Sequence, residues 1–380
     1  MQGSIALEKK QLGKGAFGIV YLGFDINNNK YVALKKIPNE IVKDPQKINA
    51  LGNEILISTD VSGDNLVKIR DIQEIQDSKY LVYEYCNGGD LRRYLSFFKR
   101  FDEHLVQICI RQILNGLCEL HKKKIIHHDV KPENVLVVFD VGNEGIDNMK
   151  KYETFYDKIK SYTDKPKKGV LSGDVNIPNI VDVSTVQIND SLIERLLRVS
   201  KIKLSDFGLS KFGEEQQEKL LSGSPLYMSP EMFESNAKTE NIENPKVDIW
   251  ALGVLAYELY FGERPFNSST GDLNGLIKSL KKGKYDINLE RCYQISKPFL
   301  GFLNLCLQSN PNDRPTAEEL LFSEFITAEV DSFDKITLDN FATTEFYINK
   351  NHPHFYKVPN QNKIFMDSQD QKFLATILEV

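Results

Sequence analysis

The sequence predicts an α+β chain of two unequal lobes, a small β-rich one followed by a larger, mainly helical one. Three observations carry this reading. Up to about Tyr85, apolar and polar residues alternate in short runs (IVYLGF, KYVALKKI, LVKIRDI, YLVYEY), with turn residues such as Asn27, Asn28 and Asn29 between them; this is the pattern of an antiparallel sheet. From Leu91 to His121, and through most of the chain after Pro230, apolar residues recur at helical spacing. Between the two regimes stands Cys86-Asn87-Gly88-Gly89, whose glycine pair suits a hinge. One helical interval interrupts the first regime near Ile48 to Ser58, where Ala50, Leu51, Glu54, Ile55 and Ser58 share a face.

Composition narrows the class. At 380 residues the chain can bury two modest cores, and its apolar and charged fractions are those of an ordinary globular protein. A formal charge of -5 argues against nucleic acid as the main partner. The five cysteines (Cys86, Cys109, Cys118, Cys292, Cys306) are scattered and form no C-x-x-C pair, which suits reduced thiols in a cytoplasmic protein better than a bridge framework or zinc site. No apolar leader opens the chain, and Gly3 is misplaced for myristoylation. The longest apolar stretch, Trp250 to Phe261, is too short to span a bilayer and contains Glu258.

Four motifs carry chemistry. Leu12, Gly13, Lys14, Gly15, Ala16, Phe17, Gly18, Ile19 and Val20 form a glycine-rich turn that lets backbone N–H groups approach phosphate oxygens. A dinucleotide-binding fold needs a helix after such glycines, whereas here a strand follows, from Ile19 to Phe24. Next comes Val32-Ala33-Leu34-Lys35, a strand lysine that gains meaning from Glu54 on the following helix. An ion pair between them would hold Lys35 against nucleotide phosphates. In His127-His128-Asp129-Val130-Lys131-Pro132-Glu133-Asn134, Asp129 stands where a proton acceptor belongs and Asn134 can reach a metal. Ser205-Asp206-Phe207-Gly208 adds a carboxylate as a second metal ligand.

These motifs, in this order, resemble the eukaryotic protein-kinase family from about Leu7 to Ile326, apart from one insertion. The resemblance implies a bilobal kinase fold, with the small lobe over 1–85, the large lobe over 86–326 and an extension over 327–380. It implies ATP and Mg²⁺ as cofactors, protein substrates, Asp129 as base, and Asn134 and Asp206 as metal ligands. Val20, Ala33, Leu91 and Leu136 would sandwich the adenine. Glu84 and Cys86 would offer it backbone hydrogen bonds, with Tyr83 behind the base and Asp90 in the nucleotide-binding set. Ser229-Pro230-Glu231 would end the activation segment, and Arg314 would pair with Glu231. His121 would brace Asp248, on the helix that anchors the catalytic loop. Lys131, two residues after the base, is typical of the Ser/Thr branch, and Ser224 matches the hydroxyl that links Asp129 to Lys131. The run Gly223-Ser224-Pro225-Leu226-Tyr227-Met228 is similar to the autophagy-initiating (ULK-like) group. Because Lys35, Glu54, Asp129, Asn134 and Asp206 are all retained, a catalytically dead scaffold is the alternative rather than the main reading.

Three departures from the family pattern stand out. His128 replaces an arginine that grips activation-loop phosphates, so activity is expected to depend little on phosphorylation there. Ser58 stands where a bulky apolar residue would stack with Ile69, His127 and Phe207, which would leave that stack underfilled. About sixty additional residues lie between Asn134 and Asp206, an insertion at about 139–200 that is either a tolerated surface excursion or a docking or regulatory element. Within it, Ser191 to Val199 has helical spacing. The aromatic-rich tail is expected to pack on the large lobe or to bind a partner. Glu133 and Asp90 leave open a preference for basic residues around the acceptor.

Overall fold

A computed structural model of the chain describes residues 5–15, 18–38, 45–75, 78–139, 197–198, 200–212, 224–233, 244–266, 275–277, 280, 295–328, 347–348 and 355–356. The alternating N-terminal runs become strands β1 (Ile5–Gly15), β2 (Gly18–Asp25), β3 (Lys30–Lys36), β4 (Ile69–Ile75) and β5 (Ser78–Glu84). They form one antiparallel sheet in the order β1-β2-β3-β5-β4. Asp25 closes the Asn-rich turn by accepting from the amides of Asn27 (3.1 Å) and Asn28 (3.2 Å), the Asx chemistry that makes such residues turn formers. Helix α1 (Pro45–Asp60) follows β3 and buries Leu51, Glu54, Ile57 and Ser58. It runs a turn longer at its N-terminus than the spacing from Ile48 suggests.

After the hinge, Gly89–Asp90 (β6), Val135–Val138 (β8) and Lys201–Leu204 (β9) form a small sheet in the order β6-β8-β9. Ile125–Ile126 (β7) pairs with Lys211–Phe212 (β10). The helical spacing over Leu91 to His121 resolves into two helices. Asp90 caps α2 (Leu91–Phe98) through the Arg93 amide, and Asp102 caps α3 (Glu103–Lys122) through the Leu105 amide. Lys99, at φ 71°, turns the chain between them. A short capped turn there lets α3 pack beside α4 (Lys246–Phe261) rather than prolong α2.

Helix α4 is apolar on every side and almost wholly buried, as expected of a helix at the centre of a core. Gly253 permits its crossing with α5 (Lys297–Cys306), since a Cβ there would lie 2.6 Å from Cys306 Cβ. Trp250 stacks on Phe266 at 5.3 Å, and the Arg314 guanidinium lies 4.9 Å over the indole. The C-lobe closes with α6 (Ala317–Leu320), opened by a Thr316/Glu319 capping box, and α7 (Glu324–Thr327). Beyond them Tyr347–Ile348 (β11) pairs with Phe355–Tyr356 (β12). Among the described residues, no helix is long and apolar enough to cross a membrane.

Candidate active site

The glycine-rich motif is the β1–β2 hairpin, with Gly13 opposite Val20, Lys14 opposite Ile19 and Gly15 opposite Gly18. Leu12 precedes them on β1, while Ala16 and Phe17 lie outside the described residues. Gly18 is required by geometry. Its φ is 148°, and a Cβ would lie 2.3 Å from the Lys36 carbonyl. Register sets Val20 opposite Lys35 and Ala33 opposite Tyr83, while on the other lobe β8 sets Leu136 opposite Asp90, and Leu91 is fully buried.

Lys35 Nζ donates to Glu54 Oε1 at 2.5 Å and lies 3.7 Å from Asp206 Oδ1, so β3, α1 and the segment after β9 meet at one ammonium. The Tyr83 hydroxyl donates to the same Glu54 oxygen at 2.7 Å. Burial first, and then the Glu54 carboxylate, push that phenol well above its ordinary value, so it stays a donor at any physiological pH. At the hinge, Glu84 Oε1 accepts from Lys203 Nζ (2.9 Å) and from the Lys68 amide (2.9 Å). The Glu84 amide donates to the Lys68 carbonyl (3.1 Å), which removes it as a donor to a base. The Cys86 thiol is buried and pushed up to about 12, chiefly by that burial, which makes it an inert packing group.

The catalytic-loop motif closes on itself. Lys131 Nζ donates to Asp129 Oδ2 (2.5 Å) and to Ser224 Oγ (2.8 Å), while the Ser224 amide donates to Asp129 Oδ1 (3.0 Å). Asn134 Nδ2 donates to Asp129 Oδ2 (2.8 Å) and to the Asp129 carbonyl (2.9 Å). With Nδ2 committed, the Asn134 side-chain oxygen is the atom a hard cation would take. The Ser205 amide donates to the Asn134 carbonyl (2.9 Å), which sets Asp206 beside Asn134. Asp206 Oδ1 is buried with no hydrogen-bond partner among the described residues. A buried carboxylate oxygen without a hydrogen bond, on the segment tied to Asn134, fits an oxygen-seeking divalent cation such as Mg²⁺.

Two non-glycine residues here occupy the left-handed region, His128 at φ 64° and Asp206 at φ 65°. Each costs roughly 1–2 kcal/mol and persists only where surrounding bonds fix it. For His128 the fixing group is Asp248 on α4, which accepts from the amides of His127 (2.8 Å) and His128 (2.9 Å), with His121 Nε2 at 2.9 Å. Burial pushes the Asp248 carboxyl up, but the His121 hydrogen bond and the nearby imidazoles outweigh it and leave the group below its ordinary value. The bracing expected of His121 is therefore present. Glu231 and Arg314 form a buried two-pronged pair at 2.6 and 2.8 Å. His127 and Phe207 meet edge to face at 5.6 Å, with Ser58 buried on α1 and Ile69 packed against the Leu51–Leu81 cluster.

A protein kinase domain model matches residues 7–146 and 189–326. The chain belongs to the protein kinase family. Its bilobal α+β architecture is that of a kinase, and the unmatched residues 147–188 fall inside the insertion. The kinase is 28% identical over 323 residues to human serine/threonine-protein kinase ULK1, an alignment covering 84% of this chain and 25% of the relative. It is 28% identical over 327 residues to an Aurora kinase of Schizosaccharomyces pombe, covering 86% and 72%. Against serine/threonine-protein kinase ULK3 of Xenopus laevis it is 28% identical over 322 residues, covering 84% and 55%. The chain thus spans about a quarter of the human relative's length. Equal identity to ULK and Aurora kinases places it in the family without singling out one group.

Sequence reasoning missed three groups that the fold brings to this kinase's site. These are the Tyr83 hydroxyl on Glu54, Lys203 on Glu84, and Arg92, which reaches Glu133 at 2.7 Å. Each partner lies far away in the chain and on a different element, so spacing gives no signal for it.

Proposed function

We propose that the chain transfers the γ-phosphate of Mg·ATP to Ser and Thr hydroxyls of protein substrates. The observation that carries this is the closed arrangement of Asp129, Lys131, Asn134 and Ser224, a carboxylate held in one orientation by an ammonium, an amide and a backbone N–H. In this reading Asp129 accepts the proton of the substrate hydroxyl, and Lys131 offsets charge on the transferred group. Lys35, braced by Glu54 and Tyr83, orients the α- and β-phosphates over the β1–β2 hairpin. Asn134 and Asp206 would hold magnesium, which when bound offsets charge developing on the phosphate oxygens. The base would lie between Val20, Ala33 and Leu136, against the Glu84–Cys86 hinge. The limits 1–85, 86–326 and 327–380, with the insertion at about 139–200, are part of the same proposal. A reducing, cytoplasmic setting is supported by Cys86, Cys109, Cys118 and Cys306, all free and buried.

The test is phosphate transfer from Mg·ATP to a generic Ser/Thr substrate, with Asp206→Asn alongside. Transfer by the wild type that vanishes in the variant is expected. No transfer by either, with nucleotide still bound, would favour the scaffold alternative.

Independence from activation-loop phosphorylation belongs to the same proposal. His128 offers no guanidinium fork and its ring is buried. Ser210, just after the Asp206 motif, is 2% exposed and donates to the His127 carbonyl (3.2 Å), so it serves structure. Ser222→Ala should therefore keep full activity in that assay; loss that Ser222→Asp restores would overturn this part.

A further inference from the structure

Three segments beside the Asp129 carboxylate converge on one guanidinium. Arg92, the second residue of α2, donates from Nε to Glu133 Oε1 at 2.7 Å. Its Nη1 and Nη2 donate to the two oxygens of Glu258 at 3.0 and 3.1 Å, and Nη2 also donates to the Tyr227 hydroxyl at 2.6 Å. Glu133 lies four residues beyond Asp129 in the catalytic loop. Tyr227 lies three residues beyond Ser224, whose amide and hydroxyl contact Asp129 and Lys131. Glu258 comes from α4, its side chain 5% exposed, and it also accepts from Tyr227. Arg264 Nη1 approaches Glu258 at 3.5 Å. The cluster is therefore adjacent to the point of transfer, and its outer edge is open, with Arg92 26% and Glu133 45% exposed at the side chain.

Two carboxylates beside an acceptor site are a natural seat for an arginine or lysine of a bound peptide. Here the chain's own arginine fills that seat, with all three of its nitrogens engaged. A peptide arginine could enter only by displacing those four hydrogen bonds and leaving Arg92 without its partners. The other acidic candidate, Asp90, is committed as well, since it caps α2 through the Arg93 amide at 3.0 Å. Local charge is balanced by Arg92 and Arg264 against Glu133 and Glu258.

We propose that Arg92 is a specificity-determining residue, an internal plug that cancels an acidic subsite beside the acceptor hydroxyl. The substrates taken are then peptides whose residues flanking the Ser or Thr are not basic. This rests on the kinase reading above. An arginine that merely ties α2 to α4 would affect stability and leave substrate choice unchanged, so the deciding readout is the choice itself.

The experiment is a positional peptide array, with a fixed Ser acceptor and each flanking position varied. The full chain with Mg·ATP is assayed as wild type, Arg92→Ala and Arg92→Met, the last retaining the bulk of the side-chain stem. The wild type is expected to show no enrichment for Arg or Lys at any flanking position. Either variant is expected to gain about tenfold for Arg at one of them, and adding Glu133→Gln should abolish the gain. A wild type that already selects basic residues overturns the proposal, even if neither variant folds. Active variants with an unchanged profile overturn it too. Absence of transfer by the wild type on every peptide overturns the kinase reading and this proposal with it.

Discussion

One phenol decides how firmly the small lobe grips Lys35. Glu54 Oε1 receives both Lys35 (2.5 Å) and the Tyr83 hydroxyl (2.7 Å), in a place where Glu54 is 2% exposed. A hydrogen bond to a charged group is worth about 1.5–3 kcal/mol, and more of that survives where water is excluded. Ser58, one turn beyond Glu54, offers little apolar bulk, so the Tyr83 bond supplies fixation that packing does not. Tyr83→Phe keeps the ring and removes only the hydroxyl. It should lower kcat/KM for ATP about tenfold, while Ser58→Leu in the same background should recover part of the loss. Full activity in Tyr83→Phe, measured by steady-state kinetics, would mean that the Lys35 pair alone suffices. Lys35, Asp129 and Asp206 were legible in the sequence because each sits in a short motif, and Glu54 because it shares one face of a helical interval. Tyr83 was legible as a position behind the base but not as a donor to Glu54. That bond depends on the approach of α1 to β5, which no local pattern specifies.

At the scale of elements, the catalytic loop is held by the helix beneath it rather than by its own propensity. Its left-handed His128 has no glycine to ease it, and one carboxylate at the start of α4 receives two successive amides. Asp248→Asn keeps the shape but loses the charge and must turn an amide group toward a donor. The expected cost is about 2–4 kcal/mol, read as a lower urea midpoint, with a larger fall in kcat than in ATP affinity. The sign with pH follows from the lowered carboxyl. Its contribution is complete above the ordinary carboxylate range and disappears as pH falls through the lower folded value. The stability gap between wild type and Asp248→Asn should therefore hold from pH 7 down to about pH 4 and narrow below it. A gap that widened on acidification would refute this assignment. The small-lobe strands and the main helices were readable in advance from two periodicities, near 2 and near 3.6, whereas the short strands β6 to β10 of the large lobe were not. The break between α2 and α3 was not read, since apolar spacing continues through it. Two aspartates, Asp90 and Asp102, mark the helix starts by capping them.

For the whole molecule, the question is how a compact fold carries a long excursion between the segments of Asn134 and Asp206. The stems of that excursion form an antiparallel ladder, with Val138 opposite Lys201, and both flanks are secured outside it. Asn87 accepts from the Phe139 amide at 2.8 Å and donates to its carbonyl at 3.2 Å. On the far side Leu197 is fully buried, Arg198 bonds Asp102, and Gln112 accepts from the Ile202 amide at 2.9 Å. With the ends pinned this way, the entropic cost of closing a longer connection is small. That cost grows by about 0.6 kcal/mol per doubling, or roughly 1.5 kcal/mol relative to a hairpin of about a dozen residues. Replacing residues 141–195 by a short Gly/Asn/Ser turn, sparing Phe139, Leu197 and Arg198, should then leave the melting temperature unchanged or slightly raised. Phosphate transfer to a generic substrate should stay within about twofold. A variant that melts like the wild type yet transfers tenfold less would show instead that the insertion supports the Lys35–Glu54 arrangement, supplying what Ser58 leaves out.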